Sequence, residues 1–326
     1  MRRYPFLSGF FLIAVLACGH TWSQPWKPTR NVEIIVGSAA GGGADLTARQ
    51  VQKLMREKLG LDFASSVVNK TGGGSSLSYV YLNQHAGDAH YLALSLQPMI
   101  TGPMMIAGQI PHTDMTPIAH LFNEYVGFAV RADSSIKSGR DLAERLRKDP
   151  GALSISLSTA LAGSNHLATV LALKTAGVDI KKLRVVVVSG ANESIAGVVG
   201  GHVDVMVTSA ASQIAHIQAG KLRGIAVSGP RRLGGAFAEV PTWKELGMDS
   251  VYANWRGVVG PKGMSAAQIA YWDDVFARLT QTPEWRQETQ RLLQDPVYMN
   301  SQETRRFLDA QQQELRAVLM ELRLAK

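Results

Sequence analysis

Twice along this chain a short, apolar, largely β-branched run gives way to a turn of small residues, and helical spacing follows at once. The first copy runs from Val32 to Val36, through Gly-Ser-Ala-Ala-Gly-Gly-Gly-Ala-Asp, into Ala48, Val51, Met55 and Leu59 before Gly60. The second runs from Ile155 to Leu157, through Ser-Thr-Ala-Leu-Ala-Gly-Ser-Asn-His, into Leu167, Val170, Leu171 and Leu173, and closes near Gly177. Each copy therefore predicts a strand, a tight turn and a helix. Strands joined through helices lie parallel, with helices covering both faces of their sheet.

Further apolar runs read as strands at Val67 and Val68, Tyr91 to Leu94, Phe128 to Val130, Val185 to Val188, Val203 to Val207, Ile225 to Val227, and Val258 with Val259. Helical segments separate most of them, so the expected fold class is α/β. Two lobes are expected because the unit occurs twice and because 326 residues exceed one domain of roughly 100 to 200 residues. Turn-rich passages at Asp133 to Gly139 and Gly247 to Asn254 adjoin the runs Tyr125 to Val130 and Trp255 to Gly260, which become the two candidate crossover strands. On that reading residues 24–126 and 255–326 form lobe I, and residues 127–254 are inserted as lobe II. A last helix from Ser301 carries Phe307, Leu308, Leu315, Val318, Leu319 and Leu322 on one stripe. It is expected to dock on lobe I, with a coiled-coil partner face as the alternative.

Arg2 and Arg3 precede an apolar run from Phe6 to Ala17, too short to span a bilayer and of the length found at the centre of a secretory signal. Residues 1–23 are read as a signal peptide, with the small residues of Thr21-Trp22-Ser23 before the cut; the alternative is a lipoprotein signal at Val15-Leu16-Ala17-Cys18, with Cys18 acylated. Export to the periplasm is expected either way. Cys18 is the only cysteine, so neither disulfides nor thiolate metal sites can staple the exported chain. Losing Arg2 and Arg3 takes the formal charge from +8 to +6, which suits an anionic partner. The basic residues form no stripe with interleaved aromatics, so nucleic acid is not the expected one.

The two turns supply a chemistry for anions. A helix leaves its first N–H groups unpaired and carries partial positive charge there, and small side chains let an anion approach them. Gly41, Gly42, Gly43 and Ala44 suit this in the first unit, with Asp45 expected to cap amides rather than touch ligand. Ser158, Thr159, Ala160, Gly163, Ser164 and Asn165 suit it in the second, now with hydroxyl donors. A third cluster, Thr71 to Ser75 with Gly74 inside it, reads as a wall of the same cleft. Two or three charge-assisted hydrogen bonds per turn, at about 1.5 to 3 kcal/mol each, exceed an association cost of roughly 4 to 15 kcal/mol. These grounds do not separate carboxylate from phosphate.

Signals for catalysis, cofactors and metals are missing from the sequence. There is no GxxxxGK[ST], no GxSxG elbow and no HExxH, GGGADL lacks the final glycine of a dinucleotide fingerprint, and the eight histidines are dispersed. Neither an enzyme nor a cofactor or metal site is therefore expected. A hydrolase built on Ser164 and His166 is disfavoured, because residues two apart on a helix do not face each other. His166 either donates to a ligand oxygen or caps a packed turn. Trp255 is core or cleft wall, and Arg256 either pairs a ligand carboxylate or makes a surface salt bridge.

Taken in order, VEIIVGSAAGGGADLTAR, VVNKTGGGS, KDPGALS, AGSNHLA, GVVGGHVDVMVTS, IQAGKLRGIAVSGPRR, VPTWKELG and ANWRGVVGPKGMS resemble the Bug-type extracytoplasmic solute receptors of tripartite tricarboxylate transporters. The resemblance covers nearly the whole chain after the leader. It implies a two-lobed periplasmic binding protein of type II, the Venus-flytrap form with two crossover strands, working as a monomer without catalysis. The implied ligand is a di- or tricarboxylate, citrate-like by the NWRG segment, delivered to a large and a small membrane subunit; a ligand-presenting sensor is the alternative role. It further implies carboxylate-holding turns at Ser38 to Ala44, Ala39 included, and at Ser158 to Ser164, with Gly190 to Asn192, Thr208 and Ser209 nearby. Gly37 and Ser38 stand where many relatives have Pro-Phe or Pro-Gly, and Thr208 and Ser209 where many have Asp-Asn.

Overall fold

The computed structural model describes residues 26–41, 43–158 and 161–325. The expected leader, its cleavage point and Cys18 lie outside the described residues, as do Gly42, Thr159 and Ala160 of the two turns.

The first half of the chain alternates strand and helix: β1 (Val32–Val36), α1 (Gly43–Glu57), β2 (Ser65–Asn69), α2 (Ser76–Asn83), β3 (Tyr91–Ser95), α3 (Pro98–Met105), then the long β4 (Thr116–Arg131). The alternation continues through α4 (Gly139–Lys148), β5 (Ser154–Leu157), α5 (Ser164–Thr175), β6 (Arg184–Val187), α6 (Ala191–Val199), β7 (Val205–Ser209), α7 (Ala210–Gln218) and β8 (Leu222–Val227). After β9 (Ala253–Gly260) the chain ends in α8 (Ala266–Gln281), α9 (Pro283–Arg291) and α10 (Ser301–Glu321). Side chains set the ends of the last helices: Ser265 with Gln268, and Asn300 with Glu303, form capping boxes, and Thr282 caps α9 ahead of Pro283.

In the first sheet β1 lies parallel to β2 and β3, and β9 runs antiparallel between β3 and β4. In the second, β5 lies parallel to β6 and β7, while β7 and β8 run antiparallel to β4. Strand β4 is the seam, because its Thr116–Tyr125 stretch pairs with β9 and its Val126–Arg131 stretch pairs with β7 and β8. The protein is thus two-lobed, one lobe to each sheet, with β4 and β9 at the crossing.

Core packing follows the same plan. One cluster joins Val32, Ile34 and Val36 to α1 and to Trp272, Phe276 and Trp285 of the C-terminal helices. Another is shared by both lobes, with Tyr79, Leu82 and Ala93 continuing into Leu157, Leu167 and Val170 and into Leu308, Leu315, Val318 and Leu319 of α10. The stripe on α10 is therefore buried against the body, not held out to a partner. Docking reaches further than lobe I, since Glu321 pairs with Lys174 of α5 and Leu322 lies beside Leu183 and Val185 of the second lobe.

Candidate functional site

Strands β1, β2 and β3 all point their C-terminal ends at one edge of the first sheet, where α/β proteins place ligands. At that edge the first turn is braced by Asp45, which is buried to 1%. Its carboxylate accepts from Arg49 Nε at 2.8 Å, from the Gly41 N–H at 2.9 Å and from Asn69 Nδ2 at 3.0 Å. Asn69 Nδ2 also donates to the Ser38 carbonyl at 2.9 Å, tying the end of β2 to the turn. The hydrogen bond from Arg49 above all holds Asp45 down to about 2. Asp45 is a capping residue as expected, but the amide it caps belongs to the loop, which commits the Gly41 N–H within the protein.

The glycines divide into packed and open ones. At Gly37 a Cβ would stand 2.3 Å from that of Ser75, so the first turn and the Thr71–Ser75 cluster are pressed together. At Gly41, Gly43 and Gly74 a Cβ would meet nothing within 4 Å. Gly41 and Gly74 also have φ of +80° and +64°, so glycine there serves the backbone while leaving the surface bare. Ser38 is half-buried and Ala39 exposed, whereas Ala44 buries its methyl in the core and has only its backbone to offer.

The second turn is braced by its own helix. Ser158 Oγ accepts from Asn165 Nδ2 at 2.7 Å, Gly163 stands at the N-cap of α5 and Ser164 opens the helix. Ala162, at φ 59°, donates its N–H to His166 Nδ1 at 3.0 Å, so the ring proton resides on Nε2. Burial lowers the His166 pKa and favours the neutral ring that this bond requires. His166 thus caps the turn, and the nitrogen a Ser164 hydrolase would need is engaged by a backbone amide.

One side chain ties the strand ends of the first sheet to the second turn, and the sequence reading missed it. Gln97, buried to 1% at the end of β3, donates from Nε2 to the Ala162 carbonyl at 3.1 Å and to Thr101 Oγ1 at 3.0 Å. Its Oε1 and the nearby Ser95 Oγ are buried and have no hydrogen-bond partner among the described residues. A lone glutamine in Ser-Leu-Gln-Pro-Met carries no motif; the available clue was its place between a strand of the parallel set and the proline that starts α3.

Other expected contacts fall elsewhere. Thr208 is fully buried, its hydroxyl taking a hydrogen bond from Gln213 Nε2 at 3.1 Å and sharing one of 2.9 Å with Ser212, so it packs the start of α7 rather than facing a ligand. Ser209 is the half-exposed N-cap residue of that helix. Asn192 is exposed in the first turn of α6, beside Ile195 and His216 on a groove between α6 and α7, and β6, which leads to it, lies parallel to β5. Trp255 is core, not cleft wall, packed edge-on to Phe307 and tilted against His120. Arg256 donates to Glu124 Oε1 at 3.1 Å and to Asn254 Oδ1 at 2.9 Å, and Asn254 also binds Glu124. With the Arg256 and Glu124 side chains only 13% and 14% exposed, this is a half-buried pair clamping β9 to β4 rather than a surface bridge.

Known proteins share this fold. The family model described as the tripartite tricarboxylate transporter family receptor matches residues 47–324. Protein BugT of Bordetella pertussis is 26% identical over 269 residues, spanning 81% of this chain and 80% of its own. Among solved structures, an R. palustris protein with adipate superposes with a TM-score of 0.79 at 22% identity, over 91% of this chain and 99% of its own. MatC from Rhodopseudomonas palustris with bound malate does so with a TM-score of 0.73 at 20% identity, over 91% and 100%.

Proposed function

The chain belongs to the tripartite tricarboxylate transporter receptor family, and from that premise we propose that it captures a small di- or tricarboxylate between its lobes. The observation that carries this reading is the hydrogen bond from Gln97, just past the C-terminal end of β3, to the Ala162 carbonyl, which ties the strand ends of the first sheet to the small-residue turn of the second. One carboxylate would be held at the open face of Gly43 and Gly74 with Ser38, the other at Ser158, Gly163, Ser164 and the first amides of α5. Adipate in the R. palustris protein and malate in MatC support this chemical class.

We place the lobe boundaries at 24–126 with 255–326, and at 127–254, in keeping with the change of pairing partners along β4 after Tyr125. Residues 1–23 act on this reading as the leader that delivers the chain to the periplasm, where it hands its ligand to a large and a small membrane subunit without chemical conversion. The test is calorimetry on the purified protein with adipate, malate and citrate. Binding in the micromolar range, about −8 kcal/mol, is expected for at least one of them. Absence of saturable binding by any organic di- or tricarboxylate would overturn the reading.

A further inference from the structure

Beside the last turn of α10 the two lobes together line an open crevice of about 360 Å³, a size that fits a small organic ligand. Leu322 forms a wall from the C-terminal segment, and Leu183 and Val185 form one from the second lobe. None of the described residues of the first glycine turn or of the Thr71–Ser75 cluster lines it, while Leu161 and His166 of the second turn do, so the crevice lies on the side of the second turn away from those two clusters.

Three polar groups give this apolar space a preference for anions. His166 lines it and is 6% exposed. With Nδ1 accepting from Ala162, its Nε2–H is a donor with no acceptor among the described residues. That donor opens to the crevice, where a ligand oxygen can replace solvent as its acceptor. Lys181 and Arg323 are exposed members of the same lining, and neither side chain has a carboxylate partner among the described residues. One ring N–H donor, two cations without a carboxylate partner among the described residues, and hydrocarbon walls match a single acid group on an apolar body.

We propose that this crevice is a second ligand site, taking an amphipathic monocarboxylate such as a medium-chain fatty acid. The acid group meets His166 Nε2–H and the two cations, and the chain lies against Leu183, Val185 and Leu322. Because the walls belong to both lobes, an acid bound here also ties them together.

Octanoate is the probe, titrated into the purified protein by calorimetry with and without saturating adipate. Saturable binding that persists under adipate is expected, with octanol and acetate each at least about tenfold weaker because one lacks the charge and the other the body. Lys181→Gln with Arg323→Gln should weaken octanoate about tenfold while leaving the thermal midpoint unchanged, both side chains being exposed. Lack of saturation with octanoate overturns the proposal. So does octanoate binding that adipate abolishes and the double variant leaves intact, since that places the acid in the main cleft. Failure of adipate itself to bind would count against the cleft reading alone.

Discussion

His120 sits where the crossing strand meets the last helix, with Phe307 edge-on at 4.8 Å and Trp255 behind it. Nε2 meets Asn123 Oδ1 at 3.0 Å, while Nδ1 is buried with no partner among the described residues. No carboxylate faces the ring to stabilise its cation, and burial lowers its pKa from 6.5 to about 4. The unfolded chain therefore binds a proton that the folded one refuses between those values. Stability should be full above pH 6.5 and fall as the pH drops towards 4, by up to about 3 kcal/mol. Urea midpoints measured from pH 7 to 4.5 check this, and His120→Gln should flatten the part of the slope that belongs to this ring. An unchanged slope in the variant would refute the assignment. Nothing in Ile-Ala-His-Leu-Phe announces such a site; it exists because β9 and α10 fold over the ring from far along the chain.

Strand β9 is wedged between β3 and β4 with no slack at Gly257. A Cβ there would lie 2.5 Å from the Ala119 carbonyl oxygen and 2.7 Å from Ser95 Oγ. Gly257→Ala should thus destabilise by about 2 kcal/mol through overpacking, seen as a lower denaturant midpoint. Gly74→Ala, where open space leaves backbone strain alone, should cost about 1 kcal/mol. Equal and small losses in the two variants would argue against the wedge. The same neighbourhood explains why β4 was legible only at its far end. Phe128 to Val130 alternate in a fully covered sheet, but Pro117, His120, Asn123 and Glu124 interrupt the earlier stretch. There the backbone of His120 and Asn123 bridges to Met299 and Asp295, and the Glu124 carboxylate pairs with Arg256, remote partners that no local pattern reveals. The strand–turn–helix units, in contrast, were readable because each is specified by neighbours in sequence.

Closure depends on contacts between parts that are remote in the chain. Gln97 and Ala162 are 65 residues apart, and their bond ties the end of β3 to the second of two turns whose anion chemistry was visible from composition alone. What composition could not separate was which small residues face the cleft. Thr208 and Trp255 qualify by type and fall in the core, and Gly41 qualifies by freedom yet gives its N–H to Asp45. Gln97→Ala removes the link without altering either turn. The unliganded variant should show a larger radius of gyration by small-angle scattering than the parent, and saturating ligand should return it to the parent's value. Identical scattering from the two unliganded proteins would show that Gln97 does not hold the lobes together.

The first sheet seats β9 between β3 and β4, and Trp272, Phe276 and Trp285 complete one of its cores. A ribosome therefore releases the opening strands long before it makes the strand and helices that cover them. The first sheet cannot be completed until translation is nearly over, whereas the strands of the second are all made by Val227.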